Sequence, residues 1–147
     1  MITIVPMNQD HVSQIAELEK LCFSSPWSEK SIGDELTNPL SLWFAAVEGE
    51  KVAGYIGSQS VMGESDMMNV AVDPEYRRSG IGQQLILALV EGLKAAGNHC
   101  LSLEVRCSNT PAITLYEKLG FSQIGKRPGY YRNPREDALI LRKEWDK

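Results

Sequence analysis

Apolar residues along this chain recur with two different periods, which predict strands and helices in alternation. A β-branched run at Ile2–Val5 predicts a first strand, and Pro6 ends it. Asp10 can cap the helix that follows. The apolar positions of that helix fall on one broad face: Val12, Ile15, Leu18, Leu21 and Cys22.

A short second helix and three strands are expected next. Ser28 can cap this helix, which runs toward Leu36 and stops at Asn38-Pro39. The strands are expected at Leu42–Val47, Val52–Gln59 and about residues 65–72. The turn Glu48-Gly49-Glu50-Lys51 separates the first two strands, so they are expected to pair as a hairpin.

The second half begins with the clearest helix of the sequence, closed by a left-handed cap at Gly97-Asn98. Its apolar residues recur at helical spacing: Ile81, Leu85, Ala88, Leu89, Leu93 and Ala96. After this helix, Leu101, Leu103 and Val105 alternate with polar neighbours. This alternation predicts a strand that is buried on one side.

The remaining elements complete a mixed sheet. Ser108 or Asn109 caps a helix that ends at Gly120. The segment 121–141 is expected to form two strands around an irregular connection at Pro128–Arg135. The order of elements predicts a mixed α/β fold in one domain over residues 1–147, with a single mixed sheet of about seven strands and about four helices.

Composition is typical of an ordinary globular domain. The 147 residues are 43% hydrophobic and 23% charged, and this length suits one core. The longest apolar runs, Leu42–Val47 and Leu85–Val90, are far shorter than the roughly 20 residues of a membrane-spanning helix. The start, Met1-Ile2-Thr3-Ile4, lacks the basic and apolar regions of a signal peptide. We therefore expect a cytoplasmic protein without a membrane partner.

Charge and cysteine content exclude two further classes. The net charge is −4, the wrong sign for tight binding to a phosphate backbone, so no direct nucleic-acid partner is expected. Cys22, Cys100 and Cys107 form no C-x-x-C pair and have no histidine at metal spacing. Free thiols and no metal site are expected.

One segment carries candidate chemistry. After a strand that ends at Asp73-Pro74, the run Arg77-Arg78-Ser79-Gly80-Ile81-Gly82-Gln83 places two glycines at the start of an amphipathic helix. Glycine lets backbone amides form an anion cradle, and free N–H groups at a helix start attract phosphate. The run lacks the third glycine of a Rossmann fingerprint and the Gly-Lys-Ser/Thr of a P-loop. A plain packing turn remains an open interpretation of the glycines.

The surroundings of these glycines resemble a known family. Arg77-x-x-Gly80-x-Gly82, preceded by Val70-Ala71-Val72-Asp73-Pro74, is similar to the acetyl-CoA-binding motif of the GNAT acetyltransferase superfamily. Asn109, followed by the run A-I-T-L-Y-E-K-L-G-F at 112–121, resembles its second signature. Both occur in the family's order and spacing. The resemblance implies a GNAT fold with acetyl-CoA as co-substrate and no metal.

Further segments resemble one branch of that superfamily, the bacterial ribosomal-protein-alanine N-acetyltransferases. They are Phe23–Glu29, Leu103–Arg106, Tyr130-Tyr131 and Arg135–Ala138. The resemblance implies acetyl transfer to the N-terminal alanine of the eighteenth small-subunit ribosomal protein, by direct attack in a ternary complex. The implied partners are acetyl-CoA and the N-terminus of a ribosomal or other protein.

The resemblance also implies catalytic roles. Glu104, on the face of its strand opposite Leu103 and Val105, becomes the general base. Tyr116 becomes the acid that protonates the CoA thiolate, since a phenol with a pKa near 10 carries its proton at neutral pH. Cys107 receives no role, so no acyl-enzyme is expected. A solvated strand carboxylate and an aromatic core anchor remain the open alternatives for the two residues.

Cofactor and substrate contacts are implied for further residues. The acetyl-CoA contacts are Val70, Ala71, Val72, Arg77, Arg78, Ser79, Gly80, Ile81, Gly82, Gln83, Asn109 and Tyr116. Trp27 and Tyr131 resemble positions that enclose the peptide terminus. Two other functions stay open: a GNAT acetyltransferase for a small-molecule amine, and a CoA-binding module without catalysis.

Overall fold

The computed structural model describes residues 1–132 and 134–145, which form a mixed α/β fold. The strands are β1 (Thr3–Pro6), β2 (Ser41–Glu48), β3 (Lys51–Val61), β4 (Glu64–Val72), β5 (Cys100–Arg106), β6 (Ser122–Tyr131) and β7 (Glu136–Glu144). The helices are α1 (Gln9–Cys22), α2 (Glu29–Asp34), α3 (Ile81–Ala95) and α4 (Thr110–Lys118), with a 3₁₀ turn at Pro74–Tyr76. The predicted fold class is confirmed, as is the β2–β3 hairpin.

The strands form one sheet in the order β1-β2-β3-β4-β5-β7-β6. Neighbouring strands are antiparallel except β4 and β5, which are parallel and are connected through α3. The parallel pairing covers only Glu64–Asp66 against Cys100–Ser102. Just beyond it, β4 carries one extra residue, Met68, relative to β3. Such a bulge bends a strand, and here β4 turns away from β5.

Two apolar cores lie on opposite faces of the sheet, because successive residues of a strand point to opposite sides. Phe44 packs into the core under α3 and α4, and its neighbour Trp43 packs into the core under α1 and α2. The first core includes Leu85, Leu89, Leu93, Leu101 and Tyr116. The second core includes Val12, Ile15, Ile32 and Tyr55. The sheet is therefore supported on both faces around the point where β4 and β5 separate.

The first helix differs from its prediction in two ways. Its N-cap is Asn8 rather than Asp10: the Asn8 side chain accepts from Asp10 N at 2.8 Å, and His11 Nδ1 accepts from Asn8 N at 3.1 Å. This reciprocal pair is a capping box, which serves two backbone donors instead of one. The buried face is also shifted, because Leu21 is 64% exposed whereas Glu19 is 1% exposed.

The chain between the last two strands also differs from its prediction. Instead of leaving the sheet at Pro128, β6 continues to Tyr131, which pairs with Glu136. The register shifts between Arg127 and Tyr131, so the proline sits where the ladder is irregular. Proline is tolerated there because no ladder donor is required of it.

The longest helix in the described part of the chain is α3, with 15 residues. No helix of that part is long and apolar enough to cross a bilayer.

Gly57 provides a test of the core under α1 and α2. It lies opposite Trp43 in the β2–β3 pair, and a Cβ atom at position 57 would overlap the buried indole ring. We expect Gly57→Ala to lower the free energy of unfolding by about 1–3 kcal/mol through overpacking. Urea denaturation followed by circular dichroism measures the change.

Gly33→Ala is the matched control. A Cβ atom at this position in α2 meets only Val12 Cγ1, at 3.9 Å. Because alanine favours a helix over glycine, this variant is expected to be more stable by up to about 1 kcal/mol. Equal behaviour of the two variants would contradict the packing of Trp43 against Gly57.

Candidate active site

A cleft of about 1020 Å³ opens where β4 and β5 separate. Its walls come from β4, β5, α4, the end of α1 and the β6–β7 connection. The lining residues are Cys22, Phe23, Ser24, Ser25, Met67, Met68, Asn69, Val70, Glu104, Val105, Arg106, Asn109, Ala112, Tyr116, Tyr130, Tyr131, Arg132 and Pro134. The carboxyl ends of neighbouring parallel strands are where α/β sheets bind ligands, so this cleft is the candidate active site.

Glu104 reaches the cleft from β5. Leu103 and Val105 are buried on the other face of the strand, as their alternation predicts, and the Glu104 side chain is 28% exposed. Arg127 on β6 donates from Nε to Glu104 Oε1 at 3.3 Å. The ion pair fixes one carboxylate oxygen, and among the described residues no donor occupies the other.

Tyr116 reaches the same cleft from α4. Its side chain is only 5% exposed, and its ring packs edge-on against Phe121 with centroids 5.6 Å apart. Burial raises the pKa of the phenol above its usual range, so the hydroxyl is protonated at neutral pH. The residue is therefore both a core anchor and a protonated donor at the cleft wall.

Cys107 is chemically unsuited to act as a nucleophile. Its thiol donates to Glu136 Oε2 at 3.3 Å, and this bond raises the pKa of the thiol. Because only the thiolate attacks a thioester readily, the raised pKa supports a mechanism without an acyl-enzyme.

The glycine loop at the start of α3 has the properties of an anion cradle. Gly80 is the N-cap with φ +80°, a left-handed conformation that glycine adopts without strain. The first helical bond runs from Gln84 N to Gly80 O, so the amides of Ile81 and Gly82 have no partner within the helix. The first turn carries no acidic residue, and a Cβ atom at Gly82 would meet only Leu115 Cδ2, at 3.9 Å. The loop fits a phosphate by charge and by shape.

The other loop residues support this backbone rather than line a pocket. Ser79 Oγ donates to Tyr76 O, Arg78 adopts φ 66°, and both side chains are exposed. The Ile81 side chain is buried in the core at 2% exposure, so only its amide is available to a ligand. Gln83 lies half-buried in the first helical turn.

Arg77 connects the glycine loop with the wall of the cleft. Arg77 donates from Nε to Val72 O at 3.3 Å, and its Nη2 lies 3.7 Å from Cys22 Sγ on the cleft wall. The end of β4, Val70–Val72, lies beyond Asp66, the last residue of β4 that pairs with β5. Within the part of the chain that the structure describes, the backbone edge of these residues therefore faces the gap without a ladder partner, as in an edge strand.

Of the two residues expected to enclose a peptide terminus, Tyr131 lines the cleft. The Arg106 guanidinium lies 4.5 Å from its ring centroid, and burial raises the pKa of Tyr131 to about 12. Trp27 is absent from the described lining. Its ring packs edge-on against Trp43, 5.4 Å between centroids, so its substrate role stays a prediction.

Sequence analysis considered two roles for Asn109, a helix cap and a cofactor contact. Its side chain caps α4 by accepting from Ala112 N at 3.3 Å, and the residue also lines the cleft. The cap is confirmed, and the cofactor contact stays a prediction.

Sequence analysis gave no role to the carboxylate that holds the β5–α4 connection. Glu136 accepts from Ser108 N at 2.7 Å and from Arg106 Nη1 at 3.2 Å. Arg106 also donates to Arg132 O at 3.0 Å and to Pro134 O at 2.9 Å. Hydrogen bonds from Ser108 lower the pKa of Glu136 to about 2. The network joins both sides of the cleft mouth, and its members are too distant in sequence for any local pattern to indicate it.

Within residues 1–132 and 134–145, no three His, Cys, Asp or Glu side chains cluster as metal ligands would.

Comparisons with known proteins agree with this geometry. Residues 12–121 match the profile of the "Acetyltransferase (GNAT) family". The chain is 36% identical over 143 residues to the "[Ribosomal protein bS18]-alanine N-acetyltransferase" of Escherichia coli K12, with 96% of each chain covered. The crystal structure of the Escherichia coli ribosomal-protein-S18-alanine N-acetyltransferase superposes with a TM-score of 0.91 at 35% identity, covering 100% of this chain and 96% of that one.

A more distant structure shares the fold alone. Arabidopsis thaliana NAA60 in complex with acetyl-CoA has a TM-score of 0.87 at 18% identity, and 98% of each chain is covered.

The anion cradle can be tested by filling it. We expect Gly82→Trp to abolish acetyl-CoA binding, because the indole would occupy the open space beside the free amides. Isothermal titration with acetyl-CoA measures the dissociation constant. Gln84→Trp, an exposed position in the same helix, is the control and should bind normally. Tight binding by Gly82→Trp would refute the assignment of the loop to phosphate.

The Glu136 network predicts a pH dependence of stability. Because the folded-state pKa lies near 2, below the ordinary value of 4.5, the carboxylate stabilises the fold above pH 4.5 and this effect disappears as the pH falls toward 2. Glu136→Gln should unfold at lower urea concentration than wild type at pH 7, and the difference should shrink between pH 4.5 and pH 2. Glu117→Gln, an exposed carboxylate on α4, should show no such trend. A constant difference at all pH values would contradict the prediction.

Proposed function

The chain belongs to the acetyltransferase (GNAT) family, and we propose that it transfers the acetyl group of acetyl-CoA to the N-terminal alanine of ribosomal protein bS18. One observation carries the proposal: the Glu104 carboxylate and the Tyr116 phenol line one open cleft, and Arg77 of the loop before α3 contacts Cys22 on the wall of that cleft. The 36% identity to a bS18-alanine N-acetyltransferase over nearly the whole chain supports the choice of substrate. A ribosomal substrate would place the reaction in the cytoplasm.

Acetyl-CoA supplies an activated acetyl thioester, and the residues of the chain suit its parts. The amides of Ile81 and Gly82 would hold the pyrophosphate at the positive end of α3. The unpaired edge of Val70–Val72 offers backbone donors and acceptors to the amide-bearing arm. Together they would direct the thioester toward Glu104 and Tyr116.

The terminal amine is a chemically easy acceptor. An α-amino group has a pKa near 7.8 and lysine a pKa near 10.4, so at pH 7 roughly 15% of the first but about 0.04% of the second is neutral. A modest base is therefore sufficient for an α-amine. Glu104, with one oxygen held by Arg127 and the other without a donor in the described structure, suits that role.

Proton transfer completes the proposed reaction. Glu104 takes a proton from the ammonium form of the terminal amine, directly or through water, and releases it to solvent, and the neutral nitrogen then bonds to the acetyl carbon. As the carbon–sulfur bond breaks, the Tyr116 hydroxyl gives its proton to the sulfur, and the proton that the new amide nitrogen loses replaces it through solvent. Burial raises the pKa of Tyr116, so the hydroxyl carries its proton at neutral pH.

The test is an acetyl-CoA-dependent mass shift on a short peptide that begins with alanine and continues with basic residues. A copy with a blocked α-amine and an internal lysine is the control. One acetyl on the free-terminus peptide alone is the expected result. Acetylation of the blocked copy would indicate a lysine acetyltransferase. No shift on either peptide would favour a small-molecule amine as substrate or a CoA-binding role without catalysis.

Glu104→Gln tests the base. We expect kcat on the peptide to fall about tenfold or more near pH 6.5 and to approach wild type above pH 8.5, where the amine is already neutral. Steady-state kinetics across this pH range measure the effect. The acetyl-CoA dissociation constant of the variant shows whether it folds and binds the co-substrate normally. An unchanged rate at low pH would eliminate Glu104 as the base.

A further inference from the structure

Glu19 is a buried carboxylate that the proposed mechanism does not use. It lies in α1 at 1% exposure, and no cation pairs with it among the described residues. Three donors surround it instead: Trp27 N at 2.8 Å from Oε1, Asn69 Nδ2 at 2.6 Å from Oε2, and the Tyr55 hydroxyl, which also bonds to Oε2. Burying a carboxylate is costly, so an arrangement that retains one requires a reason.

Glu19 fixes the orientation of the Asn69 side chain. A carboxylate only accepts hydrogen bonds, so the part of the Asn69 amide that faces Glu19 must be its NH₂ group. The carbonyl oxygen, Oδ1, is then directed away from Glu19. No donor to this oxygen occurs within residues 1–132 and 134–145.

Asn69 lies on the cleft wall opposite Glu104. The β4–β5 register pairs Asp66 with Ser102, and β4 then carries the extra residue Met68. Continued across the gap, this register brings Asn69 level with Glu104. Both residues line the cleft, and Asn69 is half-buried.

We infer that Asn69 Oδ1 accepts a hydrogen bond from the terminal amine of the substrate, and that Glu19 is the positioning residue that directs this oxygen into the cleft. The inference rests on the proposed function, because it names a second group that recognises the same amine. Glu104 on β5 and Asn69 on β4 hold the amine from two sides. The geometry favours a primary amine, whose several N–H bonds can reach both walls.

Glu19→Gln reverses this orientation without changing the size of the side chain. Trp27 N can only donate, so the new amide must keep its oxygen toward Trp27 and turn its NH₂ toward Asn69. Asn69 must then rotate to accept, which places its own NH₂ in the cleft. A donor facing a protonated amine is repulsive, so the peptide KM should rise about tenfold or more, while the acetyl-CoA KM stays within about twofold of wild type.

Glu19→Gln combined with Asn69→Asp restores the original pattern. The amide introduced at position 19 would donate to one oxygen of the carboxylate introduced at position 69, and the other oxygen of that carboxylate would face the cleft as an acceptor. We expect this double variant to recover most of the lost affinity for the peptide. Recovery is a result that a purely structural role of Glu19 would not produce.

Glu35→Gln is the matched control. Glu35 is also buried, at 8% exposure, and accepts from Trp43 Nε1 at 3.2 Å and Gln59 Nε2 at 2.8 Å, but it does not line the cleft in the described structure. Its amide variant is expected to lose stability and to keep wild-type values of both KM constants.

Asn69→Leu keeps the experiment decisive if Glu19→Gln does not fold. It removes Oδ1 and leaves Glu19 its two other donors, so the peptide KM should again rise about tenfold or more. If the wild-type enzyme acetylates the peptide but folded Glu19→Gln or Asn69→Leu has an unchanged peptide KM, the inference about Asn69 is overturned. The proposed function would then still stand. Wild-type enzyme that acetylates no peptide would refute the proposed function itself.

Discussion

The separation of β4 from β5 is the constraint on which the site depends. The two strands pair only from Glu64 to Asp66 on one side, and the bulge at Met68 then turns β4 away. Without this gap, β5 would cover the edge of β4, and no cleft would lie beside Glu104. The surrounding elements keep the gap open: a core on each face holds β3 and β4 in place, and β7 pairs with β5 along its whole length.

The charged side chains around the cleft are held in defined contacts. Arg127 holds one oxygen of Glu104, and Glu136 takes up Arg106, which would otherwise place an unpaired cation beside the acceptor amine. Free amides at the start of α3 provide positive potential at the other end. The arrangement separates the proposed phosphate-binding loop from the cleft that holds the proposed base and acid.

Sequence analysis predicted most elements and the glycine turn at the start of α3 because both are encoded locally. Apolar periodicity gave the seven strands and the helices, and Gly80 and Gly82 mark a turn that other residues adopt poorly. The features that sequence analysis placed wrongly or missed depend on contacts between residues that are distant in the chain. Glu19 is buried because Tyr55 and Asn69, 36 and 50 residues away, donate to it, and no local pattern contains that information. The role of Glu136 was not predicted for the same reason, since its partners Arg106, at the end of β5, and Ser108, in the β5–α4 connection, lie about 30 positions earlier.

The unpaired edge of β4 has a consequence for the lifetime of the protein. Residues 70–72 leave hydrogen-bonding groups in the gap that a bound acyl carrier would satisfy as a substitute strand. A ligand that binds only the folded chain raises the free energy of unfolding by RT ln(1 + c/Kd), where c is the concentration of the ligand, so stability grows with that concentration. The metabolic supply of that ligand would therefore set how often the chain opens to proteases, so that abundance and activity fall together when the supply is short.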